Sequence, residues 1–149
     1  MEKQHYHSPF GWIEITVTDD AVTALTLVPE HNHTAHSSHK VIIQCCKELD
    51  EYFARKRRQF DVKVSFQGTD FQNKIWKKLQ EIPYGKTISY AVLAESAGHP
   101  KAYRAAGSAN GKNPIAIIVP CHRVIASDGS LGGYAYGLEM KKALLNLEK

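Results

Sequence analysis

The 149 residues predict an α+β (α/β) chain in two parts, a small strand-and-helix N-terminal domain over 1–66 and a helical C-terminal domain over 67–149. Three observations carry this reading. Period-two alternation of apolar residues marks the early segments, and three- and four-residue spacing dominates the later ones. Charge divides at the same place: residues 1–66 hold eight Lys/Arg against nine Asp/Glu, and 67–149 hold eleven against six, a net −1 followed by +5. A basic second half suits a polyanionic partner, although a modest lysine surplus also describes an ordinary solvated surface.

In order along the chain, Ile13, Ile15 and Val17 alternate with polar neighbours, Asp19-Asp20 marks a turn, and Thr23, Leu25 and Leu27 continue on a second strand of a hairpin. The tract His31 to His39 is polar. Its four histidines invite a metal site, but a Ser/Thr/Asn-rich loop offers no fixed geometry for ligands, so no metal is expected. Ser38 is placed to cap a helix in which Ile42, Cys45, Leu49 and Tyr52 or Phe53 form one apolar stripe. Arg55-Lys56-Arg57-Arg58 ends that helix as a solvated basic turn, where cations favour the helix dipole. Phe60, Val62, Val64 and Phe66 alternate as a further strand.

Gln67-Gly68-Thr69-Asp70 is the boundary, with Thr69 or Asp70 capping a helix whose Phe71, Ile75 and Leu79 face one side. Pro83-Tyr84-Gly85 makes a turn. Ser89 then precedes a helix through Ala97, Gly98 ends it, and Pro100 stands where a second helix, Lys101 to Asn110, begins. This is a helix-turn-helix pattern, one shared by many proteins that never meet DNA. The second helix is rich in small residues, which serve close approach to a nucleic-acid backbone and tight helix packing equally well. A last helix spans Leu138–Leu147, with Leu138, Met140 or Lys141, Leu144, Leu145 and Leu147 on its apolar side.

With 43% hydrophobic residues the chain can bury a core. Three cysteines, two of them adjacent, make no disulfide framework, and the N-terminus carries no signal-peptide pattern, so a cytoplasmic setting is expected. No run of about 18 apolar residues occurs, so no membrane span or membrane partner is expected.

Ile117-Ile118-Val119-Pro120-Cys121-His122-Arg123-Val124 delivers one cysteine from the end of an apolar run that reads as a strand. A nucleophilic cysteine needs a proton acceptor and an electropositive setting, for which His122 and Arg123 are the adjacent candidates. Pro120-Cys121-His122-Arg123-Val124 resembles the active-site signature of the O6-alkylguanine-DNA alkyltransferases, the methylated-DNA–protein-cysteine methyltransferases. Ile82-Pro83-Tyr84-Gly85, Ser89-Tyr90, Asn113-Pro114 and Gly132-Gly133-Tyr134 stand in that family's order and spacing.

The resemblance implies a ribonuclease-H-like N-terminal domain and a winged-helix-like C-terminal domain that holds the chemistry. It implies direct, single-turnover transfer of an alkyl group from O6-methylguanine, and from O4-methylthymine, to Cys121. The partner is alkylated double-stranded DNA entered from the minor groove by a monomer, without a cofactor. His122 would take the thiol proton through a water, because neighbours in a strand face opposite ways, and Glu148 would orient the imidazole. Tyr90 would donate to the base and crowd the phosphate, and Asn113 would brace the active-site turn. DNA contacts fall to Lys101, Ala102, Arg104, Ala105, Gly107 and Arg123, with Arg104 filling the space of the extruded base. Val124, Tyr134, Ala135 and Tyr136 would border the pocket. Many relatives carry serine at Ala135, so a side-chain hydrogen bond to guanine is absent there. Two other readings remain on the residues alone: a lesion-binding module without catalysis, and a cysteine hydrolase using Cys121 and His122.

Overall fold

The computed structural model describes residues 1–29 and 36–149, which divide into two compact units. Unit 1 comprises Met1–Ser65 with Pro114–Ala116, and unit 2 comprises Phe66–Asn113 with Ile117–Lys149.

Unit 1 is built on a three-stranded antiparallel sheet of β1 (Glu2–Ser8), β2 (Gly11–Thr18) and β3 (Ala21–Val28), in that order. The hairpin expected at Asp19-Asp20 is β2–β3, and Asp19 takes the left-handed conformation (φ 56°) that such turns use. Register shifts between Thr16 and Val17, so Val17 faces Val22 rather than Thr23. That bulge puts Val22 and Leu25 in the core and leaves Thr23 and Leu27 half-buried. β1 lacks apolar alternation and was not expected. It is held by polar groups: Gln4 and His5 are buried, Gln4 Oε1 accepts the Ser37 N–H at 2.7 Å, and His5 Nε2 lies 3.1 Å from Glu14 Oε2.

The helix α1 (Lys40–Phe53) packs Ile42, Cys45, Leu49 and Tyr52 into this core, as its spacing predicts, with Phe53 half-buried. Its cap differs. His39, not Ser38, occupies the N-cap, and His39 Nδ1 accepts the Val41 N–H at 3.1 Å. Beyond the helix, Arg57 pairs with Glu51 at 3.0 Å and Asp61 at 3.1 Å. The Phe60–Phe66 alternation forms no strand; Val64 alone bridges to Val22. A buried carboxylate holds this segment instead. Glu48 Oε1 accepts the N–H groups of Asp61 (2.8 Å) and Val62 (3.0 Å), and Gln44 donates to Oε2 at 2.8 Å. Within the same unit Leu25 pairs in parallel with Ile115.

Unit 2 opens with α2 (Asp70–Leu79). Thr69 caps it in a capping box with Gln72, and Ile75, Trp76 and Leu79 are buried. β4 (Ile88–Ser89) leads into α3 (Tyr90–Ser96), where Ser89 accepts the Val92 N–H at 3.1 Å. Gly98, at φ 82°, ends that segment in a conformation that suits glycine. α4 (Tyr103–Gly111) starts two residues later than its sequence predicts, leaving Lys101 and Ala102 before the first turn. Ala106 and Ala109 of α4 are buried, and Trp76 Nε1–H donates to Ala109 O at 2.8 Å.

The apolar run 117–124 is not a strand. Pro120 has no N–H to give a ladder, Ile117 sits at φ 70°, and Cys121–Arg123 close a 3₁₀ turn. Pairing resumes only at β5 (Val124–Ile125), parallel to β4. α5 (Leu138–Leu147) completes the unit over its expected span. Among the described residues no helix is long and apolar enough to cross a membrane, and no group of three or more His, Cys, Asp or Glu is gathered for a metal. His31 and His33 lie outside the described residues.

Replacing Glu48 by alanine orphans the buried Val62 amide and the part-buried Asp61 amide, and urea unfolding should show a loss of about 2 kcal/mol. Glu48→Gln, which keeps an acceptor, should lose less. Equal stability of Glu48→Ala and the parent would remove the clamp from the account.

Candidate active site

Cys121 is 5% exposed and opens on a cavity of about 500 Å³ in unit 2, bordered also by Tyr90, Arg104, Asn113, Tyr134 and Tyr136. The 3₁₀ turn fixes its position. Cys121 N–H donates to Val119 O at 2.8 Å, and Arg123 N–H to Pro120 O at 3.0 Å. Two asparagines brace that turn from either side of Pro120. Asn113 Nδ2 donates to Val119 O at 2.8 Å, and Asn110 Nδ2 to Cys121 O at 3.3 Å. In the sequence nothing separates Asn110 from its small neighbours in α4.

Glu148 is the junction of the buried network. It is 3% exposed; Oε1 accepts Arg123 Nε–H at 2.8 Å, and Oε2 accepts Arg123 Nη2–H at 2.9 Å. His122 Nε2 lies 2.7 Å from the same Oε2. Burial alone would raise the Glu148 carboxyl, but hydrogen bonds and charge from His122 and Arg123 outweigh it and hold the pKa down to about 2. Glu148 is therefore ionised, so Nε2 carries the proton of the bond. For His122, complete burial pushes the pKa below 6.5 and outweighs the carboxylate beside it. Arg123 already balances the Glu148 charge, so the ring stays neutral. Its Nδ1 is buried without a hydrogen-bond partner among the described residues and keeps a free lone pair.

Burial likewise pushes the Cys121 thiol up, against hydrogen bonding from Asn113 and the charge of Lys141. At rest the sulfur is a thiol, and the ring of the next residue, His122, is uncharged. Burial also raises Tyr90, opposed by a backbone hydrogen bond from Gly133, and it raises Tyr134 strongly, so both phenols are donors at neutral pH. The Tyr134 hydroxyl is buried against the Cys121 thiol, and its ring meets Tyr136 edge-on at 5.7 Å. Gly132 stands against Tyr90 at φ 70°, where a Cβ would come 2.8 Å from the hydroxyl. Gly133 and Ala135 continue the cavity wall.

Two expected positions lie elsewhere. Arg123 cannot contact DNA as placed: it is 6% exposed, committed to Glu148, and donates Nη1–H to Ile82 O at 2.7 Å. Val124 does not border the cavity; it is fully buried, and its carbonyl accepts Lys141 Nζ–H at 2.7 Å. Of the alternatives Met140 and Lys141 on the apolar side of α5, the structure buries Lys141, whose part in the site the sequence does not show. It sits on the apolar side of α5, wholly buried, and its ammonium also donates to Gly133 O at 3.1 Å and to Leu131 O. It ties β5 to the cavity loop, and its charge favours a Cys121 thiolate. Of the remaining positions, Lys101, Arg104 and Ala105 are exposed, whereas Ala102 and Gly107 are half-buried.

Comparison with known proteins agrees in both units. Residues 1–66 match the family model described as the 6-O-methylguanine DNA methyltransferase ribonuclease-like domain, and residues 70–149 match its DNA binding domain. A methylated-DNA–protein-cysteine methyltransferase of Methanosarcina barkeri is 54% identical over 110 residues, covering 74% of this chain and 70% of the relative. The enzyme of that name in Mycolicibacterium paratuberculosis is 41% identical over 153 residues, covering 100% and 93%. The crystal structure of Mycobacterium tuberculosis OGT in complex with DNA superposes with a TM-score of 0.91 at 42% identity, covering 100% of this chain and 93% of that one.

The Glu148 pKa makes a pH prediction. Its folded value of about 2 lies below the ordinary 4.5, so the unfolded chain takes up the proton first as pH falls. The stabilisation is complete above about pH 4.5 and is lost as pH falls through about 2. His122 acts in a higher window, favouring the fold more as pH rises toward 6.5. Urea unfolding of Glu148→Gln across pH should show a flatter acid limb than the parent below pH 4.5. An identical acid slope would contradict the buried ion pair.

Proposed function

The chain belongs to the 6-O-methylguanine DNA methyltransferase family, and from that premise we propose that Cys121 takes the alkyl group of O6-alkylguanine from duplex DNA, irreversibly and once per molecule. The observation that carries the proposal is the line Cys121, His122, Glu148, Arg123. A thiol opening on a cavity is followed in the chain by a neutral imidazole whose Nε2 is fixed by a carboxylate and whose Nδ1 is unpartnered among the described residues.

The alkyl group lies on a base edge inside the stack, beyond the reach of a buried sulfur, so the nucleotide must leave the duplex. Arg104, exposed on α4 at the cavity border, fills the vacated position from the minor groove under this reading, with Lys101, Ala102, Ala105 and Gly107 meeting the same DNA. The thiol proton passes to His122 Nδ1 through a bridging water. Sulfur then attacks the alkyl carbon, a C–S bond forms, the C–O6 bond breaks, and the electron pair leaves with guanine. Tyr90 donates to the base as that charge grows, Tyr134 and Tyr136 border it, and the backbone of Ala135 stands where relatives place serine. Guanine regains a proton, and the sum of thiol and ether to thioether and guanine balances without a cofactor.

Water does not displace an alkylthiolate from carbon at neutral pH, so the protein is consumed. O4-alkylthymine, with the same ether geometry on a flat base, is a second substrate under this reading. The action of the chain as a monomer and its cytoplasmic location are part of the same proposal.

Duplex DNA bearing labelled O6-methylguanine should leave about one label per protein, on Cys121 by peptide mass spectrometry, and none on Cys121→Ser. Arg104→Ala should slow duplex repair about tenfold or more without an equal loss on the free alkylated base. Lesion binding without label transfer would favour a recognition module and overturn the proposal.

A further inference from the structure

α4 is lined with alanine, glycine and serine, yet its first turn carries a large aromatic ring. Tyr103 and Arg104 are the two exposed side chains of that helix longer than serine. Tyr103 is 49% exposed, and it borders the cavity that holds Cys121. Its described ring contact is the Arg104 guanidinium, 5.9 Å from the ring centroid. A phenol left half in water on a helix otherwise trimmed to small residues does not contribute to the core. It projects where a substrate must pass.

The chemistry of the ring limits what it can receive. The cavity walls at Tyr134 and Tyr136 are already aromatic, and those two rings meet edge-to-face at 5.7 Å. A flat heteroaromatic entering between them and α4 would find a free ring face on the α4 side only at Tyr103, since the other cavity residues of α4 are Arg104, Gly107, Asn110 and Gly111. The guanidinium beside Tyr103 restricts the ring before any ligand arrives. Stacking on such a ring is indifferent to hydrogen-bond pattern and suits a purine or a pyrimidine alike.

We infer that Tyr103 is a substrate-binding residue whose ring forms the α4 rim of the cavity and stacks on the nucleobase once that base has left the duplex. The inference rests on the proposed repair function and adds to it a contact with the extruded base itself. It differs from the part given to Arg104, which acts on the space the base leaves behind.

The test measures Cys121 alkylation by intact-protein mass spectrometry for the parent, Tyr103→Ala and Tyr103→Phe, each with O6-benzylguanine as a free base and with a duplex containing O6-methylguanine. Tyr103→Ala should slow both reactions about tenfold, through weaker substrate saturation rather than a lower limiting rate, and Tyr103→Phe should restore most of the loss. Melting temperatures should match the parent, because the ring is exposed. An unchanged free-base reaction of Tyr103→Ala would overturn the inference, since a ring that only props the duplex or Arg104 is not needed there. A loss in Tyr103→Phe equal to that in Tyr103→Ala would overturn it too. Failure of the parent to transfer an alkyl group from either substrate would instead sink the repair reading beneath it.

Discussion

The buried carboxylate of Glu148 is the constraint on which the active centre depends. It lies one residue past α5, yet it accepts two bonds from Arg123 and faces His122 at 2.7 Å, so the end of the helix is stitched to the turn that carries Cys121. Taking one partner from a buried ion pair leaves an uncompensated charge, typically at a cost of about 3–5 kcal/mol. The pair is therefore a lock on position. It also sets chemistry, because Arg123 neutralises the carboxylate and lets the imidazole remain an uncharged base.

A second buried charge works from the same helix. Lys141 places an ammonium among the carbonyls of Val124, Leu131 and Gly133, which hold the strand after the turn and the loop over the cavity. Desolvation pushes that ammonium toward neutrality, and three carbonyl acceptors offset the cost only while the loop stays folded. Helix α5 thus contributes to the site at both ends, through Lys141 in its first half and Glu148 beyond its last turn. Gly132 completes the arrangement by allowing the loop to lie against the Tyr90 ring.

Much of this was legible in residue order. The hairpin at Asp19-Asp20, the stripe of α1, the Thr69 cap and the span of α5 follow from periodicity and turn chemistry, because each is decided by neighbours close in sequence. The failures share a cause. Phe60 to Phe66 alternate like a strand, but pairing needs a partner edge, and the Glu48 carboxylate takes the amides of Asp61 and Val62 instead. Residues 117–124 are apolar enough for a strand, yet Pro120 and the positive φ of Ile117 turn the chain into the site. β1 carried no signal because polar contacts from elsewhere in unit 1 bury Gln4 and His5. Arg123 and Lys141 look like surface cations in any composition count; only the fold shows their heads aimed inward at carboxylate and carbonyl oxygens. Glu148 was placed by family spacing alone, since nothing local marks a penultimate glutamate as buried.

The proposed single-turnover reaction sets an unusual requirement: the nucleophile must not be spent on the wrong electrophile. Cys121 is 5% exposed and its thiol is pushed up by burial, so the resting sulfur is neutral and shielded. A permanent thiolate would react faster with the correct base, and also with every small alkylating agent or oxidant that reached it. Under the proposed function, keeping the proton on sulfur, with His122 Nδ1 as its acceptor through the bridging water, defers activation to the moment a flat substrate fills the cavity. In the proposed reaction, the same desolvation that raises the thiol pKa at rest strengthens the bond assigned to Tyr90 as charge develops on the leaving base. Low reactivity at rest and high reactivity when occupied are two consequences of one buried geometry, and the Glu148 junction holds that geometry in place.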